Sequence, residues 1–377
     1  MNQVYITKLS SYLPNNPIES EEIEDILGKI GGVASKSRRI VLKSNGIKKR
    51  YYALDKNGNH THSNAQLVSE AIKQLFDQDF KQEELELLCC GTSTPDQILP
   101  SHAAMVHGCL GNFPLEIASL SGICCSGMHA LKFGYMSVLS GQSKNAVCTG
   151  SELVSPYLIA RNFEKEFKSL VELEARPILA FEKEFLRWML SDGAGAMLLQ
   201  NKPGEGNSLR IDWMESISYA NEQPACMYGG AEKMKDGNLK GWMTYAPDEW
   251  TKKSLFSIKQ DVKILEKNIV RYGGRKLASI LEKRKIEISN IDYFLPHLSS
   301  EFFRKKIQEE LMQMGVDIPS DKWYTNLSEV GNMGSASIYV MIDGLVKTGN
   351  LKKGQQILVM VPESGRFSYV YAHLTVV

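Results

Sequence analysis

The chain has no apolar run near the roughly 18 residues that would span a bilayer, no paired C-x-x-C spacing, no low-complexity stretch and almost no net charge. Each absence removes a class of function. Without a long apolar run no membrane span is expected. The segment from Met1 to Thr7 enters a strand-like pattern at once, without the charged region, apolar stretch and small-residue cleavage site of a secretory leader, so a cytoplasmic location is expected. Lys plus Arg is 44 and Asp plus Glu 43, for a formal net charge of +1. No global field therefore draws the chain to nucleic acid or an anionic membrane. The seven cysteines, at positions 89, 90, 109, 124, 125, 148 and 226, are odd in number. A disulfide framework is not expected in a reducing compartment, and most of these thiols read as small buried apolar residues. The pairs His60/His62 and His102/His107 lack acidic or thiol partners at ligand spacing, so neither a metal nor a redox cofactor is expected.

What is present is an ordinary globular composition, 43% apolar and 23% charged over 377 residues, longer than one domain usually runs. Short β-rich runs alternate with helical stretches, which predicts an α/β protein with helices covering its sheets. Leu85 to Cys90, Asn145 to Gly150 and Gly193 to Leu199 read as apolar strands, the first two running into Gly and small polar residues, at strand ends where α/β folds place function. Helical spacing marks Asn64 to Phe76 and Gly127 to Leu139. The polar, Gly-containing stretch Asn201 to Asn207 is the expected boundary, giving halves at 1–200 and 208–377. The second half has a strand near Ser208 to Trp213, a helical region from about Lys253 to Lys283, the strand leading into Pro296-His297, and an apolar strand from Gln356 to Val361. Asn162 to Leu186, rich in Glu and Lys, reads as a solvated amphipathic helix or an insertion near a substrate entrance. Pro224 to Trp250 has no clear period and reads as a pocket wall or a long loop.

The chemistry-bearing run is Ser121-Gly122-Ile123-Cys124-Cys125-Ser126-Gly127-Met128-His129, a cysteine pair at a small-residue turn entering a helix. The positive end of a helix dipole stabilises a thiolate, so a lowered thiol pKa is expected there; packing is the alternative for either cysteine. A nucleophilic thiol needs a proton-handling group and an orienting partner. His297 ends an apolar strand and precedes a helix. Asn332 lies in Glu329-Val330-Gly331-Asn332-Met333-Gly334-Ser335, where small residues permit close approach and an amide can point inward.

Together these segments resemble β-ketoacyl-acyl-carrier-protein synthase III and its thiolase-fold relatives, whose catalytic set is Cys, His and Asn in this chain order. Asn45-Gly46-Ile47-Lys48-Lys49-Arg50 is similar to the family's T-G-I-x-x-R segment, and Thr92-Ser93-Thr94-Pro95 through Pro100-Ser101 to its loop ending in P-S. Further matches are Thr149-Gly150-Ser151-Glu152, Asp192-Gly193-Ala194-Gly195-Ala196, Pro296-His297 and Gly331-Asn332 through Ser337. The resemblance covers nearly the whole chain and singles out Cys125 over Cys124. It implies a thiolase fold, two similar halves in a five-layered α-β-α-β-α arrangement, usually a homodimer. It implies a Claisen condensation in which Cys125 is acylated and a second thioester supplies a carbanion, with His297 and Asn332 donating to the enolate oxygen. The backbone N–H groups of Cys125 and Gly365 would form a separate oxyanion hole.

The departures from that pattern are informative. Ile40 and Ser44 stand where the initiating enzymes carry the Trp and Arg that hold the adenine of coenzyme A, which favours donors delivered by an acyl carrier protein. Arg304-Lys305-Lys306, after His297, is a candidate docking face for that acidic protein, with a solvated helix face as the alternative. Leu99 stands where the initiating enzymes place Phe near the acyl pocket. The pattern looks closest to ketosynthases of dialkylresorcinol and flexirubin-type pathways, which condense two carrier-bound chains and promote ring closure. The alternatives are initiation of fatty-acid synthesis and, from another class, a non-catalytic dimer partner subunit. A papain-like hydrolase also orders Cys, His and Asn this way, but its nucleophile surroundings are missing.

Overall fold

A computed structural model describes residues 2–35, 37–111, 113–164 and 185–377. Their strands, in chain order, are β1 Tyr5–Tyr12, β2 Ile18–Glu19, β3 Lys49–Arg50, β4 Leu87–Thr92, β5 Glu116–Ser121, β6 Asn145–Glu152, β7 Gly193–Gln200, β8 Leu209–Ser218, β9 Met227–Tyr228, β10 Ala231–Lys233, β11 Leu239–Gly241, β12 Lys259–Gln260, β13 Ile291–Pro296, β14 Gln356–Glu363 and β15 Ser368–Val376. A mixed nine-stranded sheet runs β13-β14-β15-β8-β1-β7-β6-β4-β5. The chain before residue 201 supplies the β1-β7-β6-β4-β5 end and the chain after 207 the β13-β14-β15-β8 end. The two ends meet through Tyr5 opposite Arg210 and Ile6 opposite Leu209. The turn 201–207 between β7 and β8 is exposed throughout.

Side-chain alternation along the strands builds three cores. Leu87, Cys89, Ala146, Cys148, Met197 and Leu199 face one way, into a core shared with Ile357, Val359, Val361, Val370, Ala372 and Leu374 of the other half. Between them lie the helices Ser126–Ser140 and Ser337–Lys347, through Met128, Leu131, Ile338 and Tyr339. The alternate residues Leu88, Cys90, Val147, Ala196 and Leu198 face outward, under the helices Asn64–Lys73 and His102–Leu110. In the second half Leu358, Met360, Tyr369 and Tyr371 face the helices Val262–Arg284 and Phe302–Gln313. Helix, sheet, helix pair, sheet and helix follow in order, the five layers of a thiolase fold. Strands buried on both faces explain why β4, β6 and β7 read as continuous apolar runs rather than alternating ones.

Two elements differ from expectation. The helical region expected from Lys253 begins at Val262, because the Asp261 side chain accepts from the Ile264 N–H at 3.1 Å and caps it there. The stretch 224–250 is not a plain loop: it holds β9 to β11 and a helix Pro247–Lys252. Most of Asn162–Leu186 lies outside the described residues.

Candidate active site

Cys125 is the N-cap residue of the helix Ser126–Ser140 and is fully buried. The turn before it is closed by Ser126, whose N–H and Oγ both donate to the Ile123 carbonyl, at 3.1 and 2.7 Å. The Cys125 thiol donates to the Val361 carbonyl at 3.3 Å. Its N–H, with that of Ile123, donates to Glu363 Oε2, at 3.0 and 2.9 Å. The expected lowering of the thiol pKa does not hold in this state. Burial, and after it the Glu363 charge, push the Cys125 thiol well above its ordinary value. A helix end acts only on the charged form, and here that form would be desolvated beside a carboxylate.

His297 directly follows β13, and its N–H donates to the Met360 carbonyl at 2.8 Å. Met360 is the neighbour of Val361, so the end of β14 holds His297 with one carbonyl and the Cys125 thiol with the next. The imidazole is buried, and among the described residues its Nε2 has no hydrogen-bond partner. Burial lowers its pKa to about 4, so the ring is neutral at neutral pH. An orphaned buried polar atom calls for a partner that arrives later, such as a substrate oxygen.

Asn332 is pinned through its backbone: its carbonyl accepts from Ser191 N–H at 2.8 Å and its N–H donates to Met189 O at 3.1 Å. Its Oδ1 accepts from Gly334 N–H at 3.0 Å, which turns the NH2 end away as the donor. Glu152, at the end of β6, ties this loop to the first half. Its Oε1 accepts from Ser335 N–H at 3.1 Å, and its Oε2 from Ser93 Oγ and Thr94 Oγ1 at 2.6 and 2.8 Å. Tyr339 Oη donates to the Gly127 carbonyl at 2.7 Å and locks the Asn332 side onto the nucleophile helix. The matched segments at 149–152 and 192–196 therefore have a structural role. Asp192 likewise accepts from Ala53, Val154 and Ser155 N–H groups, at 2.7, 2.7 and 2.9 Å.

The structure places the other expected residues differently. Gly365 lines a cavity of about 820 Å³ with Glu363, Arg366, Met227 and Asn238, so the 224–250 stretch does form a pocket wall. The Cys125 N–H that was to share the oxyanion hole with Gly365 is taken by Glu363, and an oxyanion there requires that carboxylate to leave. Leu99 is 83% exposed rather than enclosed. Arg304 forms a two-pronged contact with Glu301, Lys305 lies 3.5 Å from Glu309, and Lys306 meets Glu266, so this helix is not a field of unpaired positive charge. Ile40 is 71% exposed on the helix Arg38–Asn45, beside exposed Ser44. Among the described residues no cluster of three or more His, Cys, Asp or Glu is arranged to hold a metal, no two cysteines form a disulfide, and no helix is long and apolar enough to cross a membrane. Glu363 escaped the sequence reading; its one signal was a charged residue at the end of an apolar strand where the family runs to glycine.

The buried imidazoles have a measurable consequence. His297 and His102 are both lowered to about 4 by burial, against 6.5 when free. Below pH 6.5 the unfolded chain binds protons that the folded chain refuses, so their contribution is intact above 6.5 and is lost as pH falls toward 4, by roughly 3 kcal/mol per ring. Asp192, pushed up to about 6, acts in the opposite sense over part of that range. The histidine effect is therefore read as a difference: melting temperature against pH between 6.5 and 4 should fall less steeply in His297→Asn than in the wild type, and equal slopes would count against a neutral buried His297.

A buried Cys at a helix entrance, a neutral His on the strand end that anchors it, and an Asn on a loop clamped to the same helix thus lie within a thiolase fold. Residues 281–366 match the family model described as 3-oxoacyl-[acyl-carrier-protein (ACP)] synthase III C terminal. Over 376 residues the chain is 27% identical to a β-ketoacyl-[acyl-carrier-protein] synthase III of Clostridium perfringens, covering 96% of this chain and 95% of that one. A synthase III of Desulfitobacterium hafniense is 26% identical, covering 98% and 96%. Among solved structures, AbyA1, a tetronic acid condensing enzyme, superposes with a TM-score of 0.76 at 19% identity, covering 98% and 99%. OleA of Xanthomonas campestris with bound lauric acid and lauroyl-CoA gives 0.73 at 18%, covering 100% and 99%. The chain is thus similar over nearly its whole length to β-ketoacyl-[acyl-carrier-protein] synthase III, and it is an acyl-transferring condensing enzyme.

Proposed function

We propose that this chain joins two carrier-protein-bound acyl thioesters by a Claisen condensation, in dialkylresorcinol or related lipid and polyketide synthesis. The observation that supports the reading is that neighbouring carbonyls near the end of β14 hold the Cys125 thiol and the His297 N–H, while Tyr339, just beyond the Asn332 loop, is bonded to the nucleophile helix: a nucleophile, and two candidate donors for an enolate oxygen. In the first half-reaction Cys125 Sγ attacks the incoming thioester carbonyl, the carrier thiol leaves, and the acyl group stays on the enzyme. In the second, a donor enolate, stabilised by His297 and the Asn332 amide, attacks that acyl carbonyl; the carbon–carbon bond forms and Cys125 is released. Carrier-bound donors are favoured because exposed Ile40 and Ser44 offer neither a stacking ring nor a guanidinium for an adenine. The Arg304 to Lys306 face docks the carrier only by exchanging its own carboxylate partners for the carrier's.

A homodimer is part of the proposal. β5 is an unpaired edge strand, and Ile98, Leu99, Ile117, Phe133 and Met136 are exposed. A second copy would cover that edge, and only such a cover would bring Leu99 against an acyl chain. A cytoplasmic setting, where thiols stay reduced, is also part of the proposal.

Incubation with acyl carrier protein should add one acyl mass to the protein, and Cys125→Ser should carry none. A wild type that takes no adduct from any thioester would make the chain a non-catalytic partner. Initiation of fatty-acid synthesis is the second reading, favoured by the names its relatives carry. Products formed when 3-oxoacyl and malonyl carrier proteins are offered in parallel separate the two.

A further inference from the structure

We infer that Glu363 is a further catalytic residue, the base that removes an α-proton from the donor thioester, so that the condensation proceeds from an enolisable acyl donor rather than by loss of carbon dioxide. The inference rests on the proposed condensation and adds to it the class of donor.

Glu363 is buried, yet among the described residues it has no ion-pair partner. Its Oε2 is held by the Ile123 and Cys125 N–H groups, at 2.9 and 3.0 Å, and its Oε1 has no hydrogen bond among those residues. A buried carboxylate held by backbone N–H groups but by no cation is uncommon, and such groups cluster where their charge is used. This one accepts from the nucleophile's own N–H and also lines the cavity with Gly365, Met227 and Asn238. It therefore lies between the point where the acyl group is attached and the open space from which a second substrate approaches.

Two consequences follow from charge. While Glu363 holds the Cys125 N–H, no oxyanion can. An oxyanion formed at the acyl carbonyl takes that N–H and displaces the carboxylate toward the cavity, where the donor lies. A malonyl donor brings a carboxylate of its own into a buried site that already holds one without a cation, and like charges at short range disfavour that. A saturated or 3-oxoacyl donor brings no charge there and needs what a malonyl group does not, a proton acceptor. The step then balances. The donor Cα–H bond breaks and its proton passes to Glu363. The electron pair forms an enolate whose oxygen is held by His297 and Asn332. The α-carbon attacks the acyl-Cys125 carbonyl, the C–S bond breaks, and the departing Cys125 thiolate takes the proton back from Glu363.

The test follows both half-reactions in the full-length protein. Wild type incubated in D2O with a saturated medium-chain acyl carrier protein should place deuterium on the donor α-carbon and form condensed product, while Cys125 carries an acyl adduct visible by intact mass. Glu363→Gln, which keeps an acceptor oxygen for the two N–H groups, should lower exchange and product by about 100-fold or more, the usual span of general-base catalysis. Its adduct should form within about tenfold of the wild-type rate; that adduct and a thermal melt show that the variant folds, and Glu363→Asp should recover part of the exchange. Offering malonyl carrier protein should lessen the defect. The inference is overturned if exchange persists in Glu363→Gln, if adduct formation falls as far as exchange, or if wild type condenses only a malonyl donor with release of carbon dioxide. No adduct in wild type overturns the proposed condensation and this inference with it.

Discussion

His297→Ala should leave acylation of Cys125 within about tenfold of wild type while condensation falls by about 10²–10³, the loss that accompanies removal of one donor aimed at developing negative charge. The split between half-reactions follows from geometry. The Cys125 thiol is held by the Val361 carbonyl and its N–H by Glu363, so neither contact uses the imidazole. The His297 Nε2, by contrast, is buried without a partner among the described residues, which leaves it to a substrate oxygen in the proposed reaction. Because burial lowers the ring's pKa to about 4, it serves as a neutral donor and brings no charge of its own. Asn332→Ala should show the same split, since Gly334 holds its Oδ1 and leaves the amide NH2 to donate. The double variant should lose less than the product of the two single losses, because both groups act on one oxygen. Single-turnover experiments that follow adduct and product separately decide the matter; equal loss in both steps would sink the assignment of these residues to the enolate.

Part of this site was legible because its signals are local. Cys125 and Asn332 sit in small-residue segments whose glycines are demanded by backbone approach, and His297 ends a strand whose apolar run is visible in one window. The strands themselves were legible because burial on both faces leaves an unbroken apolar run. What escaped is long in range. Glu363 reaches Cys125 across 238 residues of chain, and only the fold brings them together. The thiol pKa was misjudged for the same reason: a helix N-terminus can be read from sequence, whereas the burial and the carboxylate that outweigh it cannot. Arg304 to Lys306 looked like a positive face because the carboxylates nearby count only once their side chains are placed. Glu301 and Glu309 lie on or beside the same helix, while Glu266 arrives from 40 residues away.

Gly150→Ala should destabilise the protein by about 3 kcal/mol or more, at the upper end of what overpacking usually costs. A Cβ at Gly150, in β6, would stand 2.3 Å from the Ser335 carbonyl oxygen and 2.9 Å from its carbon. The obstacle is backbone, and that backbone cannot yield: Ser335 donates from its N–H to Glu152 and from its Oγ to the Ser151 carbonyl, at 3.1 and 2.8 Å. Gly127 meets the same carbonyl, at 2.5 Å from its own ideal Cβ. One oxygen of the Asn332 loop thus presses on both the sheet and the nucleophile helix, and the two glycines let three segments touch where side chains would hold them apart. Gly108→Ala, within the helix His102–Leu110 and with open space around it, is the control. It should be neutral or stabilising by up to about 1 kcal/mol, the ordinary gain of alanine over glycine in a helix. Thermal melts of the two variants should diverge in sign or nearly so. Since the pressure falls on the loop that carries Asn332, any Gly150→Ala protein that still folds should also condense more slowly than it acylates; a variant as stable and as fast as wild type would mean that the loop is free to shift, and that its close packing does not position the amide.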